Sequence, residues 1–378
     1  MSRIAKAAES TLLSPIRNAE SEDSKMAPHA GSAHHLKPFP NFRPLDGCHC
    51  ISGSIARIFH WAGHPLSEEM LFGLGAGMGF IYWRMKTPGG EYIFVGGRGN
   101  MKGFSADLAS RTGVVIREIR TASAAKAQAE LLRQLKENKP VMLGGDMGYL
   151  PWFTFPREYH FGGHTFVACG YDGEDTVLCS DIDQKGAGVK KGFLATTSLA
   201  QLRQARASSF KPFPPKNLRL EFDFIHFRKP GKPEIVAAIR QVIDAALHPP
   251  IRNFGVKGMR HTADELLKWP SQLNDADLRA NLFNLYIFIE SGGTGGGCFR
   301  PMFARFLRES AALTGNPALR KSADDFEHIG RKFSEVGLLF KNAAKLHNPE
   351  HRIQAASKGF RDIADLEEKA CQALEAAL

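Results

Sequence analysis

The sequence has no long apolar segment. In 378 residues, no run approaches the roughly 18 to 20 apolar residues that span a bilayer. The opening segment, MSRIAKAAESTLLSPIRNAESEDSK, also lacks the continuous apolar core and the small-residue cleavage site of a secretory signal. These two absences predict a cytoplasmic protein with no membrane attachment.

Cysteine is scarce, and the motifs of nucleic-acid binding are missing. The six cysteines are expected to be free thiols, because a chain of this length without an export signal does not use them as a disulfide framework. There is no arginine-rich run, zinc-finger spacing or aromatic RNA-binding motif. Basic residues nevertheless exceed acidic ones, 49 to 39, so the surface favours an anionic partner. An acidic carrier protein or a phosphate-bearing substrate meets that requirement without nucleic acid.

The pattern of apolar residues divides the chain into three parts. Residues 1–36 are polar, without a sustained period, and are predicted to be a disordered tail. Residues 37–228 mix helix and strand signals and are predicted to form one α+β domain. Residues 229–378 follow a Lys-Pro-Gly-Lys-Pro stretch and carry helical spacing, which predicts an all-helical C-terminal domain. The apolar faces of these helices could be buried internally or in a homodimer.

Three elements of the α+β part have clear bounds. Isoleucines at helical spacing, followed by Gly63 and then a proline, predict a helix over Cys50–Trp61. Two apolar runs, His164–Gly170 and Thr176–Ser180, flank an Asp-Gly-Glu-Asp turn and predict a β-hairpin. In the C-terminal part, the helical pattern runs in one long stretch from Leu319 to Leu378.

The start of the first helix contains the residues best suited to nucleophilic chemistry. Cys48 and Cys50 lie in the segment Asp46–Ser54, where the unpaired N–H groups of a helix start stabilise a thiolate. The same N–H groups can receive the oxygen of a tetrahedral intermediate. An alternative interpretation is a zinc site, in which the Cys-His-Cys sequence and His164 supply the ligands.

A base and an acid follow on the two predicted strands. His164 opens the first strand after two glycines, and Asp181 closes the second. If the strands pair as a hairpin, both side chains lie near the same end of the sheet, where the carboxylate can orient the imidazole. Cysteine, histidine and acid in this arrangement form the set that activates a thiol.

A glycine-rich stretch in the C-terminal part offers two interpretations. Gly292–Gly297 precedes Arg300 at a predicted helix start. Consecutive N–H groups there, at Gly295 and Gly296 among others, could hold an anionic substrate together with the arginine. The same composition is typical of a flexible loop between helices, which is the favoured interpretation.

The motifs GCHCISGSIARIFHWAGHPLSEEMLFGLGAGMGFIYW, GGHTFVACGYD and VLCSD resemble the N-terminal domain of the butirosin-biosynthesis protein H family. IFIESGGTGGGCFRPMFARFLRESA resembles the helical domain that often follows it. The resemblance implies a papain-like fold with Cys50 as nucleophile, His164 as base and Asp181 as orienting acid. Relatives that are peptidases place a glutamine six residues before the nucleophile as oxyanion donor. That position is Pro44 here, which leaves the Cys50 N–H and Asn41 as candidate donors.

The resemblance also implies a reaction. The family's namesake moves an aminoacyl group from the phosphopantetheine thioester of an acyl carrier protein to an amine of an aminoglycoside. We therefore expect an acyltransferase that binds no cofactor of its own, with a carrier protein and a small-molecule amine as partners. The alternatives are a papain-like cysteine peptidase or amide hydrolase with the same triad, and a binding protein without catalytic activity on the same scaffold.

Overall fold

The computed structural model describes residues 36–87, 90–155, 159–183 and 186–378. Apart from residue 36, the predicted tail lies outside these ranges. The strands of the described residues are β1 (Met78–Thr87), β2 (Gly90–Arg98), β3 (Val115–Ile119), β4 (Val141–Gly145), β5 (His164–Tyr171), β6 (Thr176–Ile182), β7 (Gly192–Ser198) and β8 (Arg219–Asp223). The helices are α1 (Cys50–Trp61), α2 (Glu68–Leu74), α3 (Phe104–Thr112), α4 (Ala124–Lys136), α5 (Leu199–Ala207), α6 (Lys232–Leu247), α7 (Gly255–Leu266), α8 (Trp269–Gln272), α9 (Asp275–Tyr286), α10 (Arg300–Thr314), α11 (Ala318–Ala343) and α12 (Glu350–Ala376).

The strands form two antiparallel sheets. β1 and β2 make a two-stranded ribbon, and the other six strands form one sheet in the order β3-β8-β4-β5-β6-β7. The α+β class predicted from the sequence is therefore confirmed. Among the described helices, none is long and apolar enough to cross a membrane.

Helix α1 has the bounds that the sequence predicts. His49 is its extended N-cap residue, and the ring accepts a hydrogen bond from the Ser52 N–H. Ile55, Ile58 and Phe59 are buried, and they hold the helix against the large sheet, where it packs on β5. Cys50 is the first helical residue, so its side chain lies at the positive end of the helix dipole.

The β5–β6 hairpin is also confirmed. Its register pairs Val167 with Ser180, which makes His164 and Asp181 diagonal neighbours close to one end of the strands. At the other end, the Asp172 carboxylate accepts hydrogen bonds from the Glu174 and Thr176 N–H groups and so closes the turn. The hairpin thus brings the predicted base and acid to one place.

The C-terminal helices pack on the N-terminal elements. One hydrophobic cluster joins Phe59 of α1 and Phe72 of α2 to Phe303 of α10 and Phe360 of α12. The predicted boundary after residue 228 lies between β8 and α6. The long predicted helical stretch from Leu319 is broken into α11 and α12, because Pro349 has no N–H to continue a helix.

Candidate active site

The structure brings the predicted cysteine, histidine and aspartate together. Cys50 lies close enough to His164 for the ring to lower the pKa of its thiol, and Nε2 of His164 lies 2.7 Å from Oδ2 of Asp181. His164 and Asp181 are buried, whereas Cys50 is partly exposed. With Nε2 occupied by the carboxylate, Nδ1 is the ring nitrogen left for the thiol. The arrangement lets the imidazole exchange a proton with an accessible sulfur.

The electrostatics of the three residues favour a thiolate and an imidazolium. Burial alone would lower the pKa of His164, but the charges and hydrogen bonds of Asp181 and Cys50 raise it to about 10. Burial alone would raise the pKa of the Cys50 thiol. The hydrogen bond and charge of His164, with a hydrogen bond from the Thr165 N–H, outweigh burial and lower it. The proton exchanged between Cys50 and His164 therefore resides mainly on the His164 ring.

The other five cysteines are chemically different from Cys50. All six are free. The pKa of every thiol except that of Cys50 is raised, with burial as the largest cause. Cys48 is fully buried, and its pKa is raised to about 12 by burial and by the charge of Glu68. Its sulfur lies 3.4 Å from an NH2 group of Arg305. Of the two cysteines at the helix start, Cys50 alone has the properties of a nucleophile.

Trp152 holds the aspartate and was missed by sequence analysis. Its indole Nε1 lies 3.0 Å from Oδ2 of Asp181, and the N–H of Ile182 donates to Oδ1 of the same carboxylate at 2.8 Å. Phe153 packs edge-on against the His164 ring at 5.4 Å. A run of aromatic residues shortly before the His164 strand is the one signal that could have identified them.

Glu68 shapes the turn that precedes the nucleophile. Its buried carboxylate accepts hydrogen bonds from the N–H groups of Cys48 at 2.6 Å and His49 at 2.8 Å, and from the Ser52 hydroxyl at 2.8 Å. Burial raises the pKa of Glu68, although these bonds oppose the shift. The sequence indicates only a helix start at this residue, because its partners lie on another helix.

Two sequence expectations about substrate-binding residues do not fit the structure. Asn41 lines a surface cavity of about 310 Å³ with Arg43, His60, Trp61 and Gly63. This cavity lies at the C-terminal end of α1, about 15 Å along the helix from the nucleophile at its start. Asn41 is therefore too far from Cys50 to act as an oxyanion donor.

Arg300 is not available to a substrate. It is fully buried, and its guanidinium pairs with both carboxylate oxygens of Glu367, at 2.7 and 2.8 Å. A third donor, NH1, bonds to the Cys298 carbonyl at 2.7 Å. These bonds use the groups that were expected to hold an anion, so Arg300 serves the packing of α10 against α12.

The glycine-rich stretch lies against the helix start instead of forming an open anion cradle. Gly295 has a φ of 73°, and a Cβ there would come within 3.3 Å of the Cys48 sulfur. The N–H of Gly296 donates to the Thr294 hydroxyl, and that of Gly297 donates to Glu290. The stretch thus supports the back of the nucleophile turn. Among the described residues, no group of three or more His, Cys, Asp or Glu side chains could hold a metal ion.

The fold and site define an α+β protein with a helix-start cysteine beside a buried, hydrogen-bonded His–Asp pair. Residues 49–182 match the family model described as "Butirosin biosynthesis protein H, N-terminal", and residues 200–374 match "Domain of unknown function (DUF4872)". The match of residues 49–182 confirms the resemblance to the N-terminal domain of butirosin biosynthesis protein H that the motifs indicated. No curated protein matches the chain.

Proposed function

We propose that the protein is a cysteine-dependent acyltransferase of specialised-metabolite biosynthesis, with Cys50, His164 and Asp181 as its catalytic triad on a papain-like scaffold. The observation that carries the proposal is the 2.7 Å contact between His164 and Asp181, with the Cys50 thiol close enough to the ring for His164 to lower its pKa. Cys50 is also the one cysteine that is partly exposed, and the pKa of its thiol is lowered. A nucleophile, a base and a group that orients the base are the parts that covalent acyl transfer needs.

In the first step, the Cys50 thiolate attacks the carbonyl carbon of an acyl thioester on the phosphopantetheine arm of a carrier protein. The sulfur–carbon bond forms, and the carbonyl π electrons move to oxygen. Collapse of this intermediate expels the carrier thiolate, which takes a proton from the His164 imidazolium. One thioester replaces another, so positioning and stabilisation of the oxyanion limit the rate more than bond energy does.

In the second step, an amine attacks the acyl-enzyme and forms an amide. His164 is neutral after the first step and takes the proton that the amine loses. The Cys50 thiolate leaves, and the imidazolium–thiolate pair is restored. The buried carboxylate of Asp181 keeps the ring oriented through both steps, because its 2.7 Å hydrogen bond fixes Nε2 and leaves Nδ1 to face the sulfur.

The surroundings of His164 favour transfer over hydrolysis. Phe153 packs on the imidazole, Phe155 packs on Phe153 at 5.6 Å, and Tyr159 packs on Phe155 at 4.4 Å. These side chains form an apolar wall beside the base. Such a wall limits the access of water to the acyl-enzyme and gives an amine acceptor a surface to bind.

The partner of the first step is proposed to be an acidic acyl carrier protein. The chain carries a formal net charge of +10, which steers an anionic partner to its surface. The family match to a protein named for butirosin biosynthesis supports a carrier-bound acyl donor and an amine acceptor of the aminoglycoside type. Both identities are proposals that rest on the triad.

The test is intact mass spectrometry after incubation with an acyl-pantetheine thioester. The wild-type protein should gain one acyl group, and Cys50→Ala should gain none. Cys48→Ala is the matched control, and it should be acylated like the wild type. Addition of an amine should then release an amide. Acylation of the Cys50→Ala variant would disprove the assignment, and release of free acid despite excess amine would identify a hydrolase.

A further inference from the structure

Arg98 is a cation that forms no salt bridge among the described residues. It ends β2, and its guanidinium carbon lies 4.7 Å above the ring of Phe104. Its Nε is buried and makes no hydrogen bond, and no described carboxylate is within ion-pair distance of the side chain. A partly buried guanidinium in this state is costly unless a negative charge comes near it.

Glycines on both sides hold the backbone of Arg98 in place. A Cβ on Gly97 would come within 2.3 Å of the Cys298 carbonyl oxygen. A Cβ on Gly79 would come within 2.4 Å of the Gly99 Cα. Only glycine permits these close contacts. The position of Arg98 is therefore fixed by packing on β1 and on the turn before α10.

The arginine belongs to the surroundings of the nucleophile turn. Phe104, under the guanidinium, contacts Phe72 at 6.5 Å, and Phe72 contacts the His49 ring at 6.3 Å. Burial, followed by the charge of Arg98, lowers the pKa of His49. Burial lowers the pKa of Arg98 itself to about 10, and the charges of Cys50 and then Glu118 oppose that shift. Arg98 and the Cys50 sulfur are thus within electrostatic reach of each other.

Other charged groups near the turn have their own counter-charges. The Nζ of Lys190 donates to the Ser291 carbonyl at 2.7 Å, and Cys48, Asp183 and Cys50 face it electrostatically, in that order. Asp181 and then Glu68 face Arg57 in the same way. The neutral His49 contributes no charge when its pKa is lowered. Arg57 and Lys190 each donate a hydrogen bond to a main-chain carbonyl, whereas the buried Nε of Arg98 donates none. Of these three cations, Arg98 is also the one for which Cys50 is the main opposing charge.

The triad in its active form carries an excess negative charge. The Cys50 thiolate and Asp181 are negative, and the His164 imidazolium is positive. During transfer, the oxyanion of the tetrahedral intermediate takes the place of the thiolate, so the excess persists. Pro44, at the position of the glutamine in peptidase relatives, provides no side-chain donor to that oxyanion.

We propose that Arg98 supplies the positive charge that stabilises the Cys50 thiolate and, in the transfer reaction, the oxyanion that replaces it. The second half of this proposal rests on the proposed acyltransferase function, and the first half does not. Arg98 is a positioning residue in this account, because it acts through the charge on Cys50 and not by exchanging protons.

The test compares Arg98→Gln and Arg98→Lys with the wild type, and Arg84→Gln is the matched control. Arg84 lies on β1 of the same ribbon, in a salt bridge with Glu91. The readout is the pH dependence of Cys50 alkylation by iodoacetamide, located by peptide mass spectrometry. Loss of a nearby positive charge disfavours the thiolate. Arg98→Gln should therefore move the alkylation midpoint upward by about one pH unit. Arg98→Lys keeps the positive charge and should have a midpoint close to that of the wild type.

A second readout addresses the oxyanion. At a pH where the thiolate is fully formed, Arg98→Gln should lower kcat for acyl uptake by roughly 10- to 100-fold and leave KM unchanged. An unchanged alkylation midpoint in a folded Arg98→Gln variant would overturn the proposal. A loss confined to donors with a free carboxylate would also overturn it, because Arg98 would then be a substrate-binding residue. Alkylation needs no acyl donor, so failure of the acyltransferase proposal would be recognised separately.

Discussion

The indole Nε1 of Trp152 lies 3.0 Å from Oδ2 of Asp181, the same oxygen that lies 2.7 Å from Nε2 of His164. One carboxylate oxygen thus accepts two N–H groups, and the other accepts the N–H of Ile182. Every oxygen of Asp181 faces donors. Both carboxylate oxygens of Asp181 therefore act as hydrogen-bond acceptors. A neutral side chain of the same shape has only one acceptor oxygen and cannot make the same set of bonds.

Replacement of Asp181 by asparagine should disable the site. The NH₂ group of the amide would have to face either the Ile182 N–H or the pair from Trp152 and His164, so one donor would meet another. His164 would also lose the negative charge that raises its pKa. We expect the rate of acyl uptake to fall by roughly 10²–10⁴-fold, measured by quenched-flow mass spectrometry.

The control for this change is Asp172→Asn at the other end of the same hairpin. Its carboxylate accepts backbone N–H groups in a turn, where asparagine is well tolerated. This variant should react like the wild type. A fully active Asp181→Asn protein would show that the His164 ring does not depend on a charged partner.

The conservative change Trp152→Phe isolates the second donor to Asp181. Phenylalanine keeps an aromatic ring against Phe166, which lies 5.5 Å from the indole, but it removes the N–H. One lost hydrogen bond to a charged acceptor costs about 1.5–3 kcal/mol. We expect kcat to fall by about 10- to 100-fold with KM unchanged. Trp83→Phe, at an exposed position of β1, is the control, and equal effects of the two changes would contradict the assignment.

The pH dependence of acyl uptake should have two limbs. Below the lowered pKa of Cys50, the thiolate is protonated and uptake falls. Above about pH 10, His164 loses its proton. It can then no longer protonate the carrier thiolate as that group leaves, and uptake falls again. Uptake should therefore be bell-shaped, with apparent pKa values that belong to the pair.

Alkylation by iodoacetamide provides the contrast for this profile. It consumes the thiolate but requires no proton for its iodide leaving group. Its rate should rise through the lower limb and stay high above pH 10. The comparison uses the same protein sample and a pH series from 5 to about 11. An acyl-uptake profile without an upper limb would mean that His164 does not act as the acid.

Local sequence patterns were sufficient for the framework of the site. The bounds of α1 followed from isoleucine spacing and Gly63, and the β5–β6 hairpin followed from two apolar runs around a turn. These elements are specified by residues close to one another in the chain. The three triad residues lie on them, so the sequence already suggested that His164 and Asp181 are neighbours.

The contacts that surround the triad could not be predicted in this way. Glu68 reaches back to the N–H groups of Cys48 and His49 from a different helix. Arg98 enters from the β1–β2 ribbon, whose strands the sequence analysis did not identify. Such partners are chosen by tertiary packing, and a single sequence carries no periodic signal for them. The misassignment of Arg300 has the same cause, because Glu367 lies on α12.

The buried pair of Arg300 and Glu367 offers a stability test that separates structure from substrate binding. Both side chains are almost completely buried, so Glu367→Gln leaves a guanidinium without its counter-charge. We expect the free energy of unfolding to fall by about 3–5 kcal/mol, measured by urea denaturation. Asp324→Asn, which removes the exposed partner of Arg308, should cost less than about 1 kcal/mol.

The double variant Arg300→Met/Glu367→Leu completes this prediction. It removes both charges and keeps an apolar fill, which often restores stability or improves it. Its acyl uptake should match the wild type in KM, since the guanidinium lies inside the helical layer and does not reach the thioester. A KM that rises severalfold in a stable double variant would show that Arg300 takes part in substrate binding.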